Sequence, residues 1–139
     1  FHTCPGGDHD STHSADVSYT ELIPLFLSLN CGNFYMQMAN EKDAPKALKM
    51  IGENLGANQR VYIGVIDVIN EVVETPEMVC DRIMTAAEYI PVSQLGTTDD
   101  CGFSPFGDDI ATSRETAFAK IAARVEGTKM ASEKLMVSA

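Results

Sequence analysis

Apolar residues fall into four short runs, and after each run the apolar positions recur every three or four residues. The first run is a stub at 1–4. Pro5-Gly6-Gly7 and the polar residues 8–16 follow it and read as a long loop. The spacing then predicts a helix over 19–30, with Ser18 as N-cap and Leu22, Leu25, Phe26 and Leu29 on one face. Pro24 falls near its first turn, where a proline costs least. The second run, 33–39, precedes a helix over 44–53 that Asp43 caps, with Pro45 in its first turn and Gly52 and Gly56 at its end. The third, 60–67, is almost unbroken in β-branched and aromatic residues, as in a strand covered on both faces. Thr75-Pro76-Glu77 then opens a helix that reaches about Tyr89 and stops before Pro91. The fourth run, 94–98, ends at Asp99-Asp100-Cys101. Thr112 with Glu115 forms a capping box for a last helix over 113–137. Its expected core stripe is Phe118, Ile121, Ala122, Val125 and Leu135, with Gly127 a weak point inside it.

Four strand–helix units of about thirty to thirty-five residues predict an α/β chain with a parallel sheet. The strands end at His2, Gln37, Asp67 and Cys101, and polar residues gather just beyond those ends. A (β/α)8 barrel places its chemistry there, but it closes with eight strands. Four units therefore predict the C-terminal half of a (β/α)8 TIM-type barrel, with 1–139 as one partial barrel domain.

Composition narrows the function. A formal charge of −10 repels phosphate backbones and anionic membrane surfaces, which argues against nucleic acid as a partner. The longest mostly apolar run, 22–29, is interrupted by Pro24 and Ser28 and falls far short of a membrane span. Four cysteines in a chain with no signal peptide and enough length for a core predict reduced thiols and a cytoplasmic setting. The chain starts with Phe1, not Met, so further sequence is expected upstream.

The sharpest chemical pattern is His2-Thr3-Cys4 with Cys101. Imidazole and two thiolates form a soft ligand set that suits Zn2+, and three protein ligands leave a position for a substrate atom. Spacing alone is a weak pattern, and a frayed terminus with a buried thiol is its commoner reading. His9 and His13 stand four apart, but glycine, serine and threonine around them favour a solvated loop over a second metal clamp. A nucleophilic pairing of Cys4 with His9 or His13 lacks an orienting partner. Cys31 and Cys80 are expected on helices as small packing residues. Asp99, Asp100, Asp108 and Asp109 read as a Mg2+ or Ca2+ site, as a solvated loop, or as partners that orient metal ligands. No glycine-rich phosphate loop is present.

His2-Thr3-Cys4 and the segment Thr98-Asp99-Asp100-Cys101-Gly102-Phe103 resemble the catalytic barrel of cobalamin-independent methionine synthase. They resemble still more the single-barrel relatives that include epoxyalkane:coenzyme M transferase. Ile63-Gly64-Val65-Ile66-Asp67, Glu74-Thr75-Pro76-Glu77 and Ser113-Arg114-Glu115-Thr116-Ala117 extend the similarity over essentially the whole chain, as the last four β/α units. The resemblance implies a zinc ion on His2, Cys4 and Cys101 and a small-molecule thiol acceptor, homocysteine or similar. It also implies a methyl or alkyl donor, a methylated folate in methionine synthase. The implied activity is 5-methyltetrahydropteroyltriglutamate–homocysteine S-methyl transfer in methionine biosynthesis. The alternatives are zinc-dependent alkyl transfer to another thiol such as coenzyme M, and a non-catalytic metal-binding half-barrel that associates to complete the barrel. Two positions depart from the methionine synthase pattern. Gln37 stands where that enzyme has a glutamate ligand, with Glu41 an alternative fourth ligand, and Ile69 stands at its proton-donating histidine. Asp67 keeps the family's residue and is implied in substrate binding.

Overall fold

A computed structural model describes residues 1–3, 20–104 and 112–137. Four strands form one parallel sheet in the order β1 (His2–Thr3), β2 (Asn33–Met36), β3 (Arg60–Ile66), β4 (Leu95–Asp99). The helices are α1 (Ile23–Leu27), α2 (Ala44–Asn54), α3 (Pro76–Ala87) and α4 (Arg114–Val137), with 3-10 turns at Thr20–Leu22 and Val92–Gln94. Strand order follows chain order with no reversal, and α1 packs on α2, α2 on α3 and α3 on α4. A doubly wound sheet reverses its strand order partway, whereas an arc of a (β/α) barrel does not. The expected β/α alternation is thus observed among the described residues.

Local chemistry accounts for most boundaries. Asp43 caps α2 by accepting the Lys46 N–H at 3.2 Å, and Thr75 Oγ1 caps α3 by accepting the Met78 N–H at 3.3 Å. At α4 the cap is Ser113, whose Oγ accepts the Thr116 N–H at 3.0 Å, and not the expected Thr112. The first helix is shorter than its 19–30 expectation. Its α-helical part begins at Ile23, beside Pro24, and Ile23 and Leu27 are buried while Leu22, Leu25 and Leu29 are exposed. The expected apolar face there is therefore the wrong one; Phe26 alone of its members packs against the core.

The core lies between the sheet and the helices. It is built from Phe34 and Met36 of β2, Val61, Ile63, Val65 and Ile66 of β3, and Leu48, Ile51, Val79, Cys80 and Ile83 of the helices. On α4 the buried positions are Lys120, Ala123, Gly127 and Ala131, while Phe118 and Val125 are exposed. Of the expected stripe Leu135 packs against the core, whereas Phe118 and Val125 point outward, and small residues take the inward positions where α3 and α4 approach closely. A Cβ on Gly127 would meet the Pro76 carbonyl oxygen and Val79 Cβ, each at 2.6 Å. Gly127 is a contact point and not a weak point.

In the ladder His2 pairs with Tyr35, Tyr35 with Tyr62 and Tyr62 with Gly96, so this row faces one way. The Tyr35 and Tyr62 rings stack at 4.6 Å with 8° between planes, and the Tyr62 ring lies over Gly96, where any Cβ would collide with it. Among the described residues no helix is long and apolar enough to cross a membrane.

Candidate active site

The C-terminal strand ends carry the polar side chains. β2 was expected to run through 39, but its ladder stops at Met36. The reason lies just beyond β4. Asp100 is buried, and its Oδ1 accepts the N–H groups of Met38 (2.8 Å) and Ala39 (2.9 Å), while Oδ2 accepts that of Asn40 (2.9 Å). Those three amides leave the sheet to bind a carboxylate two strands away. Asp100 reaches them across β3 at Gly64, where a Cβ would overlap Asp100 Oδ1. A β-bulge lies in this stretch of β3, between Gly64 and Ile66, and the Asp100 N–H donates to the Ile66 carbonyl at 3.0 Å. Burial pushes the Asp100 carboxyl up to about 6, against the pull of the three N–H donors. Asp100 is therefore neither a solvated loop charge nor a free cation ligand.

Asp99 points the other way and pairs with Arg124 of α4, its Oδ1 2.9 Å from Arg124 Nε. Burial raises its carboxyl above the ordinary value, and Arg124 opposes the rise. Asp108 and Asp109 lie outside the described residues, as do His9 and His13.

The segment after β3 is held from beneath. Lys120 of α4 is fully buried and donates to the carbonyls of Asp67 (3.0 Å) and Val72 (2.6 Å) and to Glu74 Oε2 (2.9 Å). Glu74 Oε1 accepts the Asp67 N–H at 2.9 Å and lies 3.4 Å from Arg82 Nη1, which also donates to the Val65 carbonyl at 2.7 Å. Burial pushes the Glu74 carboxyl up, but the Lys120 ammonium and the backbone N–H donors outweigh it and leave it below the ordinary value. Asp67, half-buried, accepts the N–H groups of Ile69 (3.0 Å) and Asn70 (3.3 Å) on Oδ1. Ile69 packs against the hydrophobic core.

The proposed ligands stand as follows. His2 lies in β1, exposed; the Gln37 N–H donates to the Thr3 carbonyl at 3.3 Å and its side chain is buried; Cys101 follows Asp100 directly and packs against the core. Cys4 lies outside the described residues. Among the described residues no three His, Cys, Asp or Glu side chains gather closely enough to hold a metal. Cys31, Cys80 and Cys101 form no disulfide. Cys31 sits between α1 and β2, not on a helix as expected, and its thiol donates to the Asn33 carbonyl at 3.1 Å. Cys80 is buried on α3.

Lys120 belongs to no motif read in the sequence, and Glu74 and Gly64 enter there only as members of the segments that resemble the family, with no role of their own. A glycine inside a β-branched strand was the one available signal, since it marks a close approach or a bulge.

Residues 10–125 match the family model for the cobalamin-independent synthase catalytic domain. The chain belongs to that family. It is 34% identical over 125 residues to a methionine synthase of Saccharolobus solfataricus, covering 88% of this chain and 34% of that protein. It is 40% identical over 73 residues to a 2-hydroxypropyl-CoM lyase of Xanthobacter autotrophicus, covering 52% and 18% respectively. The structure of a B12-independent methionine synthase from a Shewanella species superposes on 98% of this chain and 39% of that one, with a TM-score of 0.78 at 22% identity. The fold is thus part of a methionine synthase barrel, and the chain spans between 18% and 34% of the length of the curated relatives it matches. It is part of the catalytic domain of an enzyme family, and the C-terminal strand ends are where such barrels place their chemistry.

Proposed function

We propose that the chain forms the C-terminal half of a zinc-dependent methyltransferase that moves a methyl group from a carrier to a thiol sulfur, homocysteine with a methylated folate as donor. What supports this is the arrangement of the sheet: His2 lies in β1, level with Tyr35, and Gln37, Asp67 and Cys101 follow the C-terminal ends of β2, β3 and β4, all towards one end of one parallel sheet. His2, Cys4 and Cys101 would hold the metal, with Gln37 at the fourth position. The imidazole and thiol donors fit zinc by their chemistry. Bound zinc lowers the pKa of a thiol it ligates, so that a thiolate exists at neutral pH.

The remaining roles belong to the chain. Asp67 is oriented by its turn to Ile69 and Asn70, with the Glu74–Lys120 pair fixing the backbone beneath it, and would bind a polar group of the acceptor. The stacked Tyr35 and Tyr62 lie on the row below the strand ends and would form a flat apolar floor there.

A second reading is alkyl transfer to another thiol, such as coenzyme M. Ile69 is packed against the core and can donate no proton, and Gln37 adds no negative charge at the metal. The similarity to a 2-hydroxypropyl-CoM lyase points the same way.

Metal analysis of the purified chain tests the shared part. One zinc per chain is expected, and none after Cys101→Ala; zinc retained in that variant rules out Cys101 as a ligand. Methyl transfer to homocysteine against alkylation of other thiols, assayed within a complete barrel, separates the two chemistries. A metal-free monomer that stays folded would instead support a non-catalytic half-barrel.

A further inference from the structure

The carboxylate of Asp100 ties the end of β4 to the end of β2. Its three acceptor bonds go to backbone N–H groups, not to side chains, so what it fixes is the path of the chain. Those amides belong to the three residues that follow Gln37, and Asp100 itself precedes Cys101. Gly64 lies between the two strand ends and leaves the space through which the carboxylate passes. Bonds from N–H to an ionised carboxylate are shorter and stronger than neutral ones, and burial keeps water from competing for them.

We propose that Asp100, with Gly64 beneath it, is a positioning residue that sets the spacing between Gln37 and Cys101 at the metal site. This rests on the zinc reading above. Asp100 touches neither metal nor substrate in this role; it acts through the backbone on both sides. The geometry makes Gly64 part of the same device, because any side chain there displaces the carboxylate.

Two variants probe the device by different routes. Asp100→Asn keeps the Oδ1 acceptor and turns an NH2 donor towards the Asn40 N–H. Gly64→Ala keeps the carboxylate but pushes it off its seat. The chain is tested for fold by circular dichroism, for protection of the 38–40 amides by hydrogen exchange without metal, and for zinc affinity. The visible spectrum of the Co2+-substituted protein reports ligand geometry directly. The expected result is a folded protein in both cases, lost protection at Asn40, a zinc affinity lower by about 10- to 100-fold, and a shifted Co2+ band. In the Gly64→Ala/Asp100→Asn double variant the losses should be less than additive, because both substitutions break one arrangement.

Zinc affinity and Co2+ spectra unchanged in both folded variants would overturn the positioning role. Unprotected 38–40 amides in the unsubstituted chain would overturn the clamp itself. A parent chain that binds no zinc, with those amides protected, overturns the zinc reading and with it the role assigned to the clamp.

Discussion

Lys120 of α4 and Glu74 of the β3–α3 connection meet at 2.9 Å with both side chains closed off from solvent. The pair brings a helix that starts after residue 112 under the connection that carries Asp67. Lys120 has no remaining proton to spare: its three donors go to Glu74, Asp67 and Val72. A buried pair gains little over an apolar replacement of both partners, but breaking it strands a charge.

Lys120→Met should therefore cost about 3–5 kcal/mol, because Glu74 and two carbonyls lose their donor together. Urea unfolding measures it. The Lys120→Met/Glu74→Gln double variant should cost less than the sum of the singles. Additive losses would show that the pair does not act as a unit.

The same contact sets a pH dependence. Glu74 sits below its ordinary value when folded, so its contribution is fully present above the unfolded value of about 4.3 and is lost as pH falls through the folded value. The urea midpoint should decline on the acid side, and decline less in Glu74→Gln. An identical acid limb in the two proteins would remove Glu74 from the account.

Gly127→Ala sets two effects against each other. Alanine favours a helix over glycine by about 1 kcal/mol, whereas overpacking a tight contact costs about 1–3 kcal/mol. The atoms met at 2.6 Å are a backbone carbonyl oxygen and a β-carbon, neither able to swing aside. The expected outcome is a lower melting temperature, with the shift carried by separation of α3 and α4. A raised melting temperature would show that the helices yield easily.

Gln37→Glu should tighten zinc, since a carboxylate adds a negative charge and is a better ligand than an amide. Competition with a chromogenic chelator reads the affinity. No change would place Gln37 outside the metal's ligands and leave the fourth position to Glu41 or a substrate.

Element types were legible because their signals are local. Asp43 and Thr75 cap the helices they were expected to cap, and the β-branched run at 60–67 forms the covered strand β3. Faces were less legible. On α1 and α4 several apolar residues point outward, and on α4 a lysine, an alanine pair and a glycine point inward. Periodicity cannot separate these cases when both faces of a helix carry apolar residues. Of the candidate site, only the placement at strand ends is open to comparison: His2, Gln37, Asp67 and Cys101 are expected there, and the parallel sheet brings those ends to one side, while their roles as ligands and binding groups belong to the proposal above. The acidic run was harder: Asp99 and Asp100 are chain neighbours, yet one meets Arg124 on α4 and the other spans to the end of β2.

By itself the sequence determined the alternation of strands and helices, the caps of α2 and α3, and the residue types available at the strand ends; Ser18, the expected cap of the first helix, lies outside the described residues. These depend on dihedral preference, spacing and side-chain chemistry within a few residues. Only the tertiary structure decided that β2 ends at Met36, that Asp100 satisfies the amides beyond it, and that Lys120 is buried beneath Asp67. Each of these joins groups 46 to 62 positions apart in the chain. A buried carboxylate or ammonium takes whichever donors or acceptors the fold brings to it, and no local pattern marks in advance which those will be.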